Sequence, residues 1–468
     1  MQFSGITYDS RKVKPGDIFV AIPGAKVDGV DYIPQAIASG AKLIVAEKNI
    51  AVPQGIEFEK VVSARRALAE MASNFYDNPS KKIKLIGITG TKGKTTTAYF
   101  IRSVLETAGY KVGIIGTIDN AMTTPESSDL QRMLAEMVEQ GVTHCVMEVS
   151  SHALAQERVT GCHFAVAIFT NLSHDHLDYH KTTEEYLEAK KKLFAMLPPD
   201  GIAIVNVDDP ASKDIIEVVK GEIISYGITQ ARHELRSTKH NEFDTTVDDI
   251  LIREKDMRLK VNSFEIHTPL IGLPNVYNIA AAFQCGMVFH IPQATIKKGI
   301  EKLKSIPGRF ERVECGQPFT VIVDFAHSPD SMQKLLETYR PLTKGKLILV
   351  FGCPGDRDKA KRPIMGKIAA DLADYVIVTT DDPHSEDPGK IVEEVLAGIR
   401  GSGDQGIRER YEAIIDRKTA IEKALRMAKE DDTVLIAGRG HEKFQDFAGK
   451  KVAIDDREVV REKYKNLN

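Results

Sequence analysis

Apolar residues Leu85-Ile86-Gly87-Ile88 run into Thr89-Gly90-Thr91-Lys92-Gly93-Lys94-Thr95-Thr96-Thr97. Glycines let backbone N–H groups close around phosphate oxygens, and a following helix N-terminus adds a favourable dipole. In that setting Lys94 reaches the terminal phosphates of a nucleotide and the Thr95 hydroxyl can hold Mg²⁺. Two residues separate Gly90 from Gly93, where the usual phosphate loop has four before its Gly-Lys. The other reading is a glycine-rich strand-to-helix turn. Glu148 ends a second apolar run, His144 to Met147, and supplies the carboxylate oxygen a hard cation wants. A third run ends in Asn171-Leu172-Ser173-His174-Asp175-His176-Leu177-Asp178-Tyr179-His180. This cluster can bind metal or position a phosphate, or it is a polar surface loop whose histidines cap helices. Histidines alone suggest zinc, but no cysteine partners them and the adjacent loop favours Mg²⁺.

Lys190 stands out by its place on a helix. Thr183 reads as the N-cap of a helix over 184–197. At about 100° per residue, Tyr186, Leu193, Phe194 and Leu197 cluster on one arc with Leu187, and Lys190 falls inside it, at about 300°. A buried ammonium without a partner is costly. The lysine snorkels out, meets an anion, or is modified, for example to a carbamate.

The elements that must position these residues follow from the wider pattern. Apolar runs over 84–89, 112–118, 143–149, 165–171 and 202–207 alternate with helical stretches, including one over 98–108 stopped by Gly109. Runs apolar along most of their length suit a mainly parallel sheet covered on both faces, in an α/β domain. A charged, alternating stretch over 232–269 suits a strand-rich edge. The pattern resumes at 319–325, 346–352, 374–380 and 433–438, so a third α/β domain is expected. Ligands bind at the carboxyl ends of such strands, where most of the polar motifs fall. Polar turns at 77–82 and 305–308 divide the chain into 1–80, 81–306 and 307–468. Those three domains fit the roughly 150 residues per domain expected for 468 residues.

Composition removes several classes. Hydrophobic residues make up 42% and charged residues 28%, as in ordinary globular proteins. Lys+Arg 63 against Asp+Glu 66 gives a net charge of -3, without the basic excess of a nucleic-acid coat. The 5 cysteines are scattered with no CxxC pair, which points to a reducing compartment. No run of about 18 apolar residues occurs, so no membrane insertion is expected. The start, MQFSGITYDSRK, lacks the apolar core of a signal peptide. A cytoplasmic, multidomain protein is expected.

Three motifs together resemble the Mur ligases of bacterial peptidoglycan synthesis: Gly90 to Thr96, Met147-Glu148-Val149-Ser150-Ser151-His152, and Asp175-His176-Leu177-Asp178-Tyr179-His180. Thr123-Thr124-Pro125 with Leu130-Gln131 points to the tripeptide-synthetase (MurE-type) branch. Tyr8-Asp9-Ser10-Arg11 with the Gly24 to Gly29 loop resembles the uridine-nucleotide domain that MurE-type and MurF-type enzymes share. Pro307-Gly308-Arg309-Phe310-Glu311, Asp324-Phe325-Ala326-His327 and Gly352-Cys353-Pro354-Gly355-Asp356-Arg357 resemble the family's carboxy-terminal domain. The resemblance implies a small UDP-binding domain, a central ATPase domain and a Rossmann-like C-terminal domain. It also implies a reaction: ATP phosphorylates the free carboxylate of UDP-MurNAc-L-Ala-D-Glu, and a diamino acid attacks the acyl phosphate.

Roles follow by resemblance, residue by residue. Gly90, Thr91, Lys92, Gly93, Lys94, Thr95 and Thr96 would hold ATP phosphates. Asn278 would face adenine, Arg309 the phosphates and Asp324 the ribose, although helix capping is the simpler role for Asn275 or Asn278 taken alone. Thr95, Glu148, His176 and a carbamylated Lys190 would surround Mg²⁺. Tyr8, Ser10, Ala25, Lys26 and Val27 would hold the uridine end, and Thr123, Thr124, Ser150, Gln156 and Arg158 the muramoyl dipeptide. Arg357, Gly438 and Glu442 would grip the amino acid. Partners are small molecules and the protein a monomer.

The chain departs from the family in three places. Lys92 replaces a commoner asparagine, and the stretch between Gly116 and Thr123 is shorter than usual. Where diaminopimelate-adding members carry Asp-Asn-Pro-Arg, this chain reads Asp381-Asp382-Pro383-His384. Arginine offers a carboxylate a bidentate fork and histidine does not. Asp381, Asp382 and Glu442 suit a distal ammonium, so L-lysine or a similar diamino acid is expected, with meso-diaminopimelate as the alternative. Two other readings are open to these residues. One is another ligase of the superfamily, of the MurF or folylpolyglutamate type. The other is a non-catalytic nucleotide- or precursor-binding module.

Overall fold

The computed structural model describes residues 3–24, 27–120, 122–173, 175, 177–228, 245–402 and 410–465. They form two compact units. The first holds residues 1–172, 179–246 and 277–300, the second 173–178, 247–276 and 301–468.

In the first unit, Ile6–Thr7, Ile18–Val20, Leu43–Ala46 and Glu57–Lys60 pair in parallel in that order. Alternate residues face opposite sides. Ile18, Val20 and Leu43 pack on Leu68 and Ala72 of helix Ala64–Phe75, while Phe19 and Ile44 pack on Ile33 and Ala36. The division at residue 80 falls inside this unit. The Ser73 hydroxyl donates to the Gly161 carbonyl at 3.1 Å, and Glu157 accepts from both Ser63 and Arg66 at 2.9 Å.

The larger sheet of this unit runs Glu222–Ile228, Ile202–Asn206, Phe164–Phe169, Lys84–Thr89, His144–Glu148, Val112–Ile115, all parallel. Its middle strands are buried along nearly their whole length, as their continuous apolar runs require. Lys84–Thr89 lies between the two strands that end at Glu148 and Phe169, so the phosphate loop and both polar strand ends share one edge.

Two helix boundaries differ from expectation. The helix after the loop spans Lys94–Thr107 rather than starting at 98, because Gly93 supplies its N-cap and Lys94 to Thr97 form its first turn. The next spans Thr183–Ala195, and Thr182, not Thr183, is its N-cap, accepting from the Glu185 N–H at 3.1 Å.

In the second unit, Thr320–Asp324, Thr433–Ala437, Leu347–Phe351, Tyr375–Val378 and Tyr411–Ala413 form a parallel sheet in that order, with Glu311–Arg312 antiparallel at its edge. Helices including Pro329–Tyr339, Lys361–Leu372, Pro388–Arg400 and Arg417–Met427 connect these strands, giving the expected Rossmann-like alternation. Residues 247–276 contribute the antiparallel strands Met257–Val261 and Phe264–Thr268. The expected strand-rich edge is therefore present where it is described; its residues 232–244 lie outside the described residues.

Candidate functional site

The phosphate loop is held in shape by residues that follow strand Phe164–Phe169. The Thr91 N–H donates to the Asn171 carbonyl at 2.8 Å, and the Lys92 N–H to Asn171 Oδ1 at 3.0 Å. Asn171 Nδ2 and the Thr170 hydroxyl both donate to the Lys92 carbonyl, at 3.1 and 2.7 Å. The brace shows in the sequence only as a polar Thr-Asn pair at a strand end beside the loop. Gly93 has φ 88°, and a Cβ there would lie 2.5 Å from Asn278 Oδ1, so a side chain is excluded by backbone and by space. Asn278 Oδ1 accepts from the Thr97 hydroxyl at 3.1 Å, which sets Asn278 beside the loop's helix. Asn275 instead donates to the Ile271 carbonyl at 2.8 Å, close to the local role expected of it alone. Lys94 Nζ donates to the carbonyls of Gly90 and Thr91 at 2.8 and 3.0 Å. Thr96 is buried.

Glu148, 2% exposed, is the acid of this site. The Thr95 hydroxyl donates to Oε2 at 2.9 Å and the Thr117 N–H to Oε1 at 2.9 Å. Thr117 also meets Thr123 hydroxyl to hydroxyl at 2.9 Å, a role for Thr117 that sequence reasoning missed. A buried carboxylate needs such donors. Thr95 and Glu148 together present hard oxygen donors of the kind Mg²⁺ takes.

Lys190 is 1% exposed, with Nζ 4.1 Å from the Tyr186 ring centroid. The snorkelling alternative is thereby removed. Tyr186 in turn donates to the Thr91 hydroxyl at 3.2 Å, tying the Lys190 helix to the phosphate loop. His180 Nε2 meets the Ser151 hydroxyl at 2.9 Å, and the His152, Tyr179 and His180 rings stack edge to face or tilted. His176 lies outside the described residues.

The residues expected to face the precursor form one chain of contacts. Thr124 donates to the Glu148 carbonyl at 2.8 Å and accepts from the Ser150 N–H at 3.0 Å. Ser150 caps the helix Ser151–Ala155. Arg158 reaches Gln156 at 2.8 Å, the Thr124 carbonyl at 3.0 Å and Glu126 at 2.9 Å. Glu126 also pairs with Arg65 at 3.5 Å, and neither was expected at the site. Tyr8 is half-buried, and burial with Asp129 and Glu126 nearby pushes its phenol up to about 12. Ser10 is buried and donates to Gln35 at 2.7 Å. Val27 is exposed; Ala25 and Lys26 lie outside the described residues.

In the second unit, Asp324 is buried and accepts from the Phe310 N–H at 2.7 Å, while the Arg309 guanidinium lies 4.5 Å from the Phe325 ring centroid. Arg357 is exposed on the loop after Leu347–Phe351. The expected acidic cluster exists, but it is not an open cradle for an ammonium. Arg439, 1% exposed, lies among its members: Nη1 is 2.6 Å from Asp382, 3.5 Å from Glu442 and 3.7 Å from Asp381, and Nη2 donates to the Phe444 carbonyl. Asp382 also accepts from the Asp446 N–H at 2.9 Å. This corrects the expectation that all three acids await a distal ammonium. The signal was an arginine between Gly438 and Gly440 at the end of an apolar strand. Gly438 has φ 114°, and its Cβ would lie 2.4 Å from Asp381 Oδ2. His384, also at positive φ, 48°, has Nδ1 3.6 Å from the Asp446 carboxylate. Burial raises the Asp381 carboxyl, and burial with Asp381 and Asp382 nearby raises Glu442 to about 8 against the pull of Arg439.

Three family models match the chain. The Mur ligase family catalytic domain covers residues 2–76, the Mur ligase middle domain 88–286, and the Mur ligase glutamate ligase domain 308–440. The chain is 41% identical to a UDP-N-acetylmuramoyl-L-alanyl-D-glutamate--2,6-diaminopimelate ligase of Caldanaerobacter subterraneus subsp. tengcongensis, over 99% of this chain and 95% of the relative. It is 43% identical to the ligase of the same name from Bacillus licheniformis, over 98% and 94%. A solved structure bearing that ligase name is 31% identical with a TM-score of 0.68, over 99% of this chain and 95% of the other.

Proposed function

The chain belongs to the Mur ligase family and is an ATP-dependent ligase, and from that premise we propose that it adds meso-diaminopimelate to UDP-MurNAc-L-Ala-D-Glu in the cytoplasm. The observation that carries the ligase chemistry is the Thr95–Glu148 hydrogen bond beside the phosphate loop. These oxygens fit Mg²⁺, which when bound would neutralise charge on the transferring phosphoryl group. Lys94, whose ammonium now satisfies the loop's own carbonyls, would turn to the terminal phosphate. Loop N–H groups would hold the remaining oxygens. The precursor carboxylate takes the γ-phosphoryl group and ADP leaves. The amino acid's amine then attacks the acyl carbon, phosphate departs, and the amide forms. Arg158, Gln156, Ser150, Thr123 and Thr124 would orient the muramoyl dipeptide; Tyr8, Ser10, Ala25, Lys26 and Val27 would hold the uridine end. Asn278, Arg309 and Asp324 would hold the nucleotide, and Lys190, as a carbamate, would join Glu148 and His176 around Mg²⁺. Domains 1–80, 81–306 and 307–468 would share these tasks, and the three family matches fall within those bounds.

The choice of diaminopimelate over L-lysine rests on the relatives' shared name and on Arg439, which already occupies the acidic cluster. The lysine reading keeps one observation in its favour: His384, turned toward Asp446, stands where an arginine would grip a distal carboxylate. The test is ATP-dependent ligation with meso-diaminopimelate, L-lysine and L-ornithine in parallel, with product mass as the readout. A diaminopimelate product is expected. A lysine or ornithine product reverses the specificity, and no product with any of them returns the protein to a binding module.

A further inference from the structure

Arg439 has a role that the ligase reading does not require. It is buried to 1% exposure at the carboxyl end of strand Thr433–Ala437, and its Nη1 sits within 3.7 Å of three carboxylates. Another arginine at this strand end, Arg417, makes its ion pair with Asp456, in a fork at 2.9 and 2.7 Å, and acts on the cluster only from further off. Asp381, Asp382 and Glu442 therefore share the charge of Arg439. They do not share it evenly. Asp382 takes the close contact, whereas Asp381 Oδ2 is buried with no hydrogen-bond partner among the described residues and points toward the Gly438 backbone. A buried, unbonded carboxylate oxygen beside Glu442 is a place for one ammonium. The guanidinium next to it is a place for one carboxylate, and it disfavours a second cation.

We infer that Arg439 is a specificity-determining, positioning residue of the amino-acid subsite, tuning it for a distal end that carries an ammonium and a carboxylate together rather than a lone ammonium. The inference rests on the proposed ligase reading. On it, the positive charge absent at His384 is supplied from the end of strand Thr433–Ala437, which Leu347–Phe351 separates from the strand preceding His384. Removing Arg439 leaves the three carboxylates opposed only by the more distant Arg417, which is paired with Asp456, a field that draws a purely cationic side chain.

The test measures kcat/KM for meso-diaminopimelate and for L-lysine in wild type, Arg439→Met and Arg439→Lys. Direct calorimetric titration of each amino acid, and precursor-dependent acyl-phosphate formation, run alongside. In Arg439→Met the ratio of diaminopimelate to lysine kcat/KM is expected to fall at least about tenfold, through KM for the amino acid. Acyl-phosphate formation should be retained. Arg439→Lys keeps the charge without the fork, so its ratio should lie between the two. Equal losses for both amino acids would reduce Arg439 to a structural residue and overturn the inference, as would an unchanged ratio. If Arg439→Met does not fold, Arg439→Lys decides alone. A wild type that binds these amino acids without ligating them refutes the ligase reading, and the calorimetric ratio then decides on Arg439. A wild type that neither ligates nor binds them overturns both.

Discussion

Glu442 faces Arg439, Asp381, Asp382 and, further off, Arg417, and burial with the two aspartates lifts its carboxyl to about 8 from 4.5. At neutral pH it is largely protonated in the free protein, yet an incoming ammonium favours its ionised form. Docking then releases a proton. The amino acid's Kd should fall as pH rises toward about 8, by up to tenfold per unit, and level off above it. Glu442→Gln should bind weakly with a flat profile; a wild-type Kd constant between about pH 6 and 8 would refute this coupling. The same shift acts on stability. The folded state holds the extra proton between 4.5 and about 8, so the contribution is full below 4.5 and lost as pH rises through about 8. Glu442→Gln should therefore gain thermal midpoint over wild type at about pH 9 and not at about pH 4. Lys190 makes the second prediction at this scale. Its alanine variant should lose about a hundredfold or more in kcat, with partial rescue by a short-chain carboxylic acid if an anionic bridge is what Lys190 provides. Full activity without rescue would show the carbamate to be dispensable. Lys190 was legible in the sequence because a charge inside an apolar arc violates helical periodicity. Arg439 was not, because periodicity says nothing about which cation enters a cluster assembled from residues more than fifty positions apart.

The elements that carry these residues were legible where burial imposes a pattern. Lys84–Thr89 matches its run to the residue, because Leu85 to Ile88 are buried without a polar position between the polar residues at the two ends. Helix starts were less legible. Lys94 to Thr97 read as loop, since Lys and three threonines carry no apolar periodicity, yet Gly93 at φ 88° turns the chain straight into the helix. Gly93→Ala is expected to abolish nucleotide binding in an equilibrium titration while the rest of the sheet stays folded, because the added Cβ meets Asn278 Oδ1 at 2.5 Å and the left-handed backbone is strained as well. Thr182 was displaced by one residue in the sequence reading because Thr182 and Thr183 are chemically equivalent caps, and only the bond to the Glu185 N–H separates them. Thr182→Ala should cost about 1 kcal/mol, a fall of about 2–4 °C in thermal midpoint. Thr183→Ala should cost less.

At the scale of the molecule, the two halves of the proposed reaction would draw on different parts of the chain. The phosphate loop, Glu148, Lys190 and the precursor-side threonines all belong to the first compact unit; Asp381, Asp382, Arg439 and Glu442 all belong to the second. That the chain holds three family domains was legible as composition, because turn clusters interrupt the α/β alternation. The two compact units were not. Residues 1–80 join their neighbours through Ser73, Ser63 and Arg66, polar contacts at sequence separations near ninety that no local pattern encodes. This partition predicts that the half-reactions separate. Acyl-phosphate formation needs the first unit's machinery but no amino acid, so hydroxylamine should trap it as a hydroxamate in Arg439→Lys and Glu442→Gln at close to the wild-type rate. Lys94→Met should lose it, by about a hundredfold or more, together with ligation. Arg309 and Asp324 limit this partition, because they lie in the second unit and are proposed to hold the nucleotide. If Arg309→Ala loses hydroxamate formation as Lys94→Met does, activation requires both units and only the final attack belongs to the acidic cluster. If Arg439→Lys loses it as well, the partition fails, and the amino-acid subsite must take part in forming the acyl phosphate that its amine consumes.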